Sequence, residues 1–200
     1  MRLYDLRTEY RVNPIGLTAK TPRFSWKMES QEKDTLQTAY EIHVIDENGK
    51  LVWNSGKRAS DQSVLIPYEG EALASETLYT VQVSVADNHG NTESVEGTFE
   101  TGIFDNTEFK AQMITGNFPE EETACPVFGK TFVLDKKVKK ARLYATAHGV
   151  YEVTLNGQTV DDCRMAPGWT SYHNRLQYQI YDITEMLAAD NKIEITVGNG

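Results

Sequence analysis

From residue 40 the chain alternates: Tyr40, Ile42 and Val44 put apolar side chains at every second position, and Asp46-Glu47-Asn48-Gly49 follows as a turn. Successive side chains of a strand point to opposite faces of its sheet, so period two marks a half-buried strand. Asn-Gly accepts the positive φ of a tight hairpin at little cost. Leu51-Val52-Trp53 predicts the returning strand. Between residues 78 and 86, Tyr79, Val81, Val83 and Val85 share one face, while Leu78, Thr80, Gln82, Ser84 and Ala86 share a mostly polar one. Asp87-Asn88-His89-Gly90-Asn91 predicts the next turn, and Val95, Gly97, Phe99 and Thr101 the last strand of this half. No long segment repeats with a helical period.

The second half opens on a predicted strand at Met113-Ile114-Thr115-Gly116, passes an acidic loop at Glu120-Glu121-Glu122, and resumes alternation from Val127 to Leu134. Residues 141–147 and 151–155 read as a tight pair of apolar strands flanking His148-Gly149, and Asn156-Gly157 signals a hairpin before Gln158-Thr159-Val160. A long loop over residues 161–174 holds Asp161, Asp162, Cys163, Pro167-Gly168, Trp169 and Tyr172. Leu176, Tyr178 and Ile180 resume the pattern, one helical turn capped by Asp182 or Thr184 follows, and Ile193, Ile195 and Val197 begin a strand. That strand meets Gly200 with no closing element, the pattern expected of a trimmed chain.

The fold class these elements predict is all-β, as two consecutive β-sandwich domains. The first, residues 1–104, is immunoglobulin or fibronectin type III-like, with Trp26 and Trp53 in its core. The second, residues 105–200, is jelly-roll-like. The turn-rich stretch Gly102-Ile103-Phe104-Asp105-Asn106 predicts the boundary.

Composition refines this picture. Hydrophobic and charged fractions of 40% and 24% suit a folded protein with a core. A net charge of −9 opposes a phosphate backbone, so nucleic acid is not an expected partner. The basic run Lys136-Lys137-Val138-Lys139-Lys140 reads as a solvated turn or strand edge. Met1-Arg2-Leu3-Tyr4-Asp5-Leu6-Arg7 brings in charge before any apolar leader segment, and no run approaches a bilayer span; a cytoplasmic chain without membrane contact is the expectation. Cys125 and Cys163 are too few and too distant for a zinc signature or a Cys-x-x-Cys pair, and geometry decides whether they bond to each other. There is no phosphate-cradling glycine loop, no His-Glu-x-x-His and no Gly-x-Ser-x-Gly. Asp161 and Asp162 are adjacent, so on an extended chain they face apart, which ill suits an acid/base pair. No catalytic residue and no metal ligand is assigned, and this chain is expected to be inactive by itself.

The series Tyr151-Glu152-Val153-Thr154-Leu155-Asn156-Gly157, then Ala166-Pro167-Gly168-Trp169-Thr170-Ser171-Tyr172, then Arg175-Leu176-Gln177-Tyr178-Gln179-Ile180-Tyr181-Asp182-Ile183-Thr184, ending in Val197-Gly198-Asn199-Gly200, resembles the N-terminal domain of bacterial α-L-rhamnosidases. These are glycoside hydrolases that remove terminal rhamnose. Upstream, Leu6-Arg7-Thr8-Glu9-Tyr10, Asn13-Pro14-Ile15-Gly16-Leu17, Pro22-Arg23-Phe24-Ser25-Trp26 and Thr98-Phe99-Glu100-Thr101-Gly102 resemble the fibronectin-like domain that precedes it, so the likeness covers essentially the whole chain. Met113 departs from the pattern, where the family usually has tryptophan.

The resemblance implies a non-catalytic N-terminal fragment whose partner is a catalytic (α/α)₆ barrel later in the parent chain, where acidic residues act with inversion. It implies an accessory role, either binding rhamnose-containing glycans or packing on the barrel, with purely structural spacers as the alternative. An exposed aromatic ring can stack on a pyranose and nearby polar groups can bond its hydroxyls, which makes Trp169, Tyr172, Tyr151, Asn156 and Arg175 the sugar-binding candidates. A structural role stands beside each: Trp169 pins its loop, Tyr151 is core, Asn156 serves the turn, and Arg175 pairs with a local acid. For Trp169 the buried pin is the expected arrangement. No cofactor is expected. Calcium assists some relatives, but Asp161 and Asp162 are the only local carboxylate pair here, short of the six or more oxygens a hard cation takes.

Overall fold

The computed structural model describes residues 1–117, 119 and 124–199, and the acidic loop expected at residues 120–122 lies outside them. Apart from two single 3₁₀ turns, at Asn106–Glu108 and Thr184–Met186, its regular structure is all β. The chain divides into two compact units, Met1–Phe109 and Lys110–Gly200. The turn-rich stretch at residues 102–106 falls inside the first unit. There the Asp105 side chain caps the first 3₁₀ turn by accepting from the Thr107 amide.

The first unit holds β1 (Arg2–Thr8), β2 (Arg23–Glu29), β3 (Gln37–Asp46), β4 (Leu51–Asn54), β5 (Ile66–Pro67), β6 (Leu78–Asp87) and β7 (Thr92–Glu100). They form two antiparallel sheets, β1-β2-β5 and β4-β3-β6-β7, the division of an immunoglobulin-like sandwich. The period-two reading holds along β6 and in β3 from Ile42, whereas Tyr40 is only partly buried, beside a register shift between Gln37 and Ala39. Tyr79, Val81, Val83 and Val85 of β6 are buried, as are Ile42 and Val44 of β3, and both tryptophans are in the core. Phe24 lies between Trp53 and Phe99, with ring centroids 6.1 and 6.0 Å away, and Tyr79 stacks on Phe99 at 5.1 Å. Burying one such side chain is worth about 1.5–3 kcal/mol.

Polar groups taken into this core are matched. The Trp26 indole donates to Gln37 Oε1 at 3.0 Å, and the Gln37 amide donates onward to the carbonyls of Ser60 and Gln62. Asp87, buried at the end of β6, closes the β6–β7 turn by accepting from the His89 and Asn91 amides and from Asn91 Nδ2. Burial raises the Asp87 pKa, but these hydrogen bonds outweigh it and hold the carboxyl below its ordinary value.

The second unit holds β8 (Val127–Val133), β9 (Arg142–Ala145), β10 (Val150–Leu155), β11 (Gln158–Thr159), β12 (Gln179–Asp182) and β13 (Asp190–Gly198). One sheet runs β11-β10-β13-β8 and the other is the pair β12-β9. Against the eight strands of a full jelly roll, six are present among the described residues. The Asn156-Gly157 signal is realised: with φ of 54° and 80° the two residues make the tight turn that joins β10 to β11.

Two sequence expectations fail here. Residues 141–147 and 151–155 do not pair; β9 bonds to β12 and β10 to β13, so the chain crosses between sheets at His148-Gly149. Gly149 takes φ of 121° at the crossing. Met113-Ile114-Thr115-Gly116 is not a strand, and Met113 and Ile114 are exposed. Alternation reports that a segment suits a sheet and says nothing of whether a neighbouring strand is there to pair with it.

Candidate functional site

Of the residues singled out for ligand chemistry, Tyr151 is on β10 and Asn156 in the β10–β11 turn, whereas Trp169, Tyr172 and Arg175 lie on one loop of the second unit, which runs from the end of β11 to the start of β12. The sequence folds tightly there because its backbone is held at several points. The Tyr151 amide of β10 donates to the Ala166 carbonyl at 2.7 Å, and Gln179 Nε2 of β12 donates to the Pro167 carbonyl at 3.1 Å. The Thr170 hydroxyl donates to the Arg175 carbonyl at 2.6 Å, and the Asn174 and Arg175 amides donate to the Ser171 carbonyl. Thr146 Oγ1 secures the exit through the Gln177 carbonyl. Ala166, Pro167 and Thr170 are buried, and the Ala166–Pro167 peptide is cis.

Trp169 lies between these buried residues and points the other way, with 80% of its surface exposed. The buried pin expected for it is therefore overturned: main-chain hydrogen bonds and the burial of Pro167 and Thr170 fix the loop, and the indole is not needed for it. Met165, at 72% exposure, is a second large apolar side chain left in solvent by the same loop. Sequence reading passed over Met165, because a methionine outside any alternating pattern carries no signal of its own.

The other candidates divide. Tyr151 is 5% exposed and belongs to the core. Its hydroxyl donates to the Ala145 carbonyl at 3.2 Å and so accepts from Tyr181 at 3.0 Å. Burial, followed by the Tyr181 hydrogen bond, pushes its phenol far above the ordinary value. A ring so enclosed cannot stack on a ligand, which removes Tyr151 from the candidates. Asn156 is exposed, but its amide is committed: Nδ2 donates to the Met186 carbonyl and Asn191 Oδ1, and Oδ1 accepts from the Lys192 amide at 2.9 Å. Its role is to clamp the turn onto β13. Tyr172 is half-buried; its hydroxyl accepts from the Gly149 amide at 3.1 Å and its ring stacks on exposed His148 at 5.2 Å and 14°. Trp169 and Arg175 remain as exposed groups. Tyr181 and Asn191, both buried and central to these bonds, were not legible as partners from sequence spacing.

Nothing here assembles hydrolytic or metal chemistry. Asp161 and Asp162 are exposed, and among the described residues no three His, Cys, Asp or Glu side chains converge. Among the described residues, therefore, no such cluster fits the calcium that the resemblance allows. Cys125 and Cys163 are both free and exposed. Two described cavities of about 450 and 420 Å³ lie elsewhere in the unit. Leu134, Val138 and Leu187 line the first, Phe132, Asn156 and Asp190 the second, and neither touches residues 161–174.

Residues 3–105 match the Rha78A-like N-terminal immunoglobulin domain, and residues 136–200 match the α-L-rhamnosidase N-terminal domain. An α-L-rhamnosidase of Formosa agariphila is 34% identical over 94% of this chain, which corresponds to 22% of that protein. Among solved structures, an α-L-rhamnosidase from Dictyoglumus thermophilum superposes with a TM-score of 0.87 at 34% identity over 99% of this chain and 25% of that one. The enzyme from Aspergillus terreus gives 0.86 at 33% identity, over 99% of this chain and 24% of its own. This chain thus spans about a quarter of the length of the relatives it matches. With the immunoglobulin match alone covering more than half of its residues, the chain belongs to the Rha78A-like family and carries the two domains found in the N-terminal region of α-L-rhamnosidases.

Proposed function

We propose that this chain serves as the non-catalytic N-terminal portion of an α-L-rhamnosidase, with hydrolysis performed by a barrel elsewhere in the parent polypeptide. The observation that supports it most is coverage: two N-terminal-type domains account for nearly the whole chain, and its relatives are roughly four times as long. Glycoside hydrolysis generally needs two carboxylates held roughly 5–10 Å apart across a bound sugar, and the candidate loop offers only adjacent, exposed Asp161 and Asp162. The role left to it is accessory, packing on the hydrolytic part of the parent.

The test is release of chromophore from an aryl α-L-rhamnoside. The purified chain is expected to give none, while the parent enzyme turns it over. Turnover that co-purifies with this chain and survives controls for host glycosidases overturns the reading.

A second reading, binding of rhamnose-containing glycans, is favoured by one observation, the exposed Trp169 ring. Against it, binding sites are concave with converging polar groups, and Tyr151 and Asn156 are spent on the fold.

A further inference from the structure

We infer that residues 163–175 form an interdomain anchor, a rigid loop that offers Trp169, Met165 and Arg175 to an apolar, acid-rimmed surface on the hydrolytic part of the parent chain. The inference rests on the reading above that this chain is part of a longer rhamnosidase.

Rigidity comes first. The loop is tied to β10 through Tyr151–Ala166, to β12 through Gln179–Pro167, and to itself through Thr170–Arg175 and Ser171–Arg175. The backbone that carries the indole is therefore positioned before any partner arrives, and this preorganisation lowers the ordering cost of association. The choice of exposed residues is the second point. Trp, Met and Arg are enriched at interface cores, and Trp and Arg dominate binding hot spots. Trp169 and Met165 stand in solvent while Ala166, Pro167 and Thr170 between and beside them are buried. A loop that already buries its small residues gains nothing within this fold by showing its largest one.

Charge points to the partner. From Cys163 through Tyr181 there is no Asp or Glu, whereas Arg164, His173 and Arg175 lie in that span of a chain whose net charge is −9. Arg164 is paired with Glu152 at 2.7 Å, and exposed Arg175 gives the loop a cation at its rim. The complementary face is apolar at its centre and acidic at its edge. Because this chain makes up about a quarter of its relatives, such a face is supplied by the same polypeptide at high effective concentration.

The experiment compares this 200-residue chain with the full-length parent by oxidative footprinting, reading Trp169 by peptide mass spectrometry. Trp169 is expected to oxidise freely in the short chain and at least severalfold more slowly in the parent. Trp169→Ala is expected to leave the melting temperature of the short chain unchanged while lowering that of the parent, and Arg175→Glu to lower the parent's by less. Equal oxidation of Trp169 in both proteins overturns the anchor, as does an equal loss of stability in both from Trp169→Ala. Calorimetry that finds L-rhamnose bound by the short chain and lost in Trp169→Ala also overturns it, assigning the ring to a sugar. The footprint does not depend on turnover. A parent that protects Trp169 but leaves an aryl α-L-rhamnoside intact would sink the underlying functional reading and keep the contact.

Discussion

The two units are built from the same element and differ in how they close over their centres. In the first, three strands face four and the space between is filled by interlocked rings; Phe24, Phe99, Ile42 and Val83 are sealed from solvent. In the second, a two-stranded sheet accompanies a four-stranded one, and much of the core is alanine, with Ala145, Ala147 and Ala166 among its buried members. Phe132, Leu143, Ile193 and Ile195 pack against that core while only partly buried. The lesson is that alternation specifies a strand equally well in both, whereas a unit's self-sufficiency depends on how many strands and large side chains close over its centre. Both units leave large apolar side chains in solvent, among them Tyr10, Leu36 and Val64 in the first and Met165 and Trp169 in the second.

The contrast can be broken most forcefully at Phe99. Truncating this fully buried ring, which touches both Phe24 and Tyr79, should cost about 3–5 kcal/mol. Urea denaturation of Phe99→Ala followed by far-UV circular dichroism checks this. A loss below 1 kcal/mol, by the same scale of buried truncations, would mean the aromatic cluster is not what holds the first unit.

A smaller effect is expected where the second unit relies on polar bonds. Asn156→Ala forfeits the amide contacts to Met186, Asn191 and Lys192 and puts alanine, which tolerates the left-handed region less well than asparagine, at φ of 54°. The expected cost is about 1–3 kcal/mol, most of it from the partners left unmatched. Asn156→Asp should recover the bond from the Lys192 amide but not those made by Nδ2, and so fall between.

Acid should sharpen the comparison more gently. The Arg23 guanidinium hydrogen-bonded to Glu9 holds that carboxyl below its ordinary value of 4.5, and Arg7 and Lys27 do the same for Asp5. A folded-state pKa that is depressed contributes stability that is fully present above the unfolded value and is lost as pH falls through the folded one. The first unit carries Asp5, Glu9, Asp87 and Asp105 in this condition, against Asp182 in the second among the described residues. Urea midpoints should therefore drop faster for the first unit as pH falls below the carboxylate range, and Glu9→Gln should flatten part of that slope.

What was legible in the sequence follows the physics of each signal. Period two found β3 and β6 because one face is buried and the other wet, and Asn156-Gly157 found its hairpin because few residue pairs accept two positive φ angles. Pairing was not legible: nothing local in residues 141–155 tells a hairpin from a crossover, since a neighbour's identity is a long-range fact. At the candidate loop, Pro167-Gly168-Trp169 announced an unusual conformation, but whether the indole turns in or out depends on hydrogen bonds from Tyr151 and Gln179, each distant along the chain. The family motifs were legible because several of them recur in order, which a single strand pattern never achieves.

The placement of the three tryptophans makes the molecule its own optical reporter. Trp26 and Trp53 sit in the apolar interior of the first unit, where indole emission is blue-shifted and shielded from ionic quenchers, and Trp169 of the second unit emits from water. Iodide should therefore extinguish one component of the fluorescence and spare the other. The spared light follows the melting of the first unit, and the quenchable light follows whatever comes to rest on Trp169.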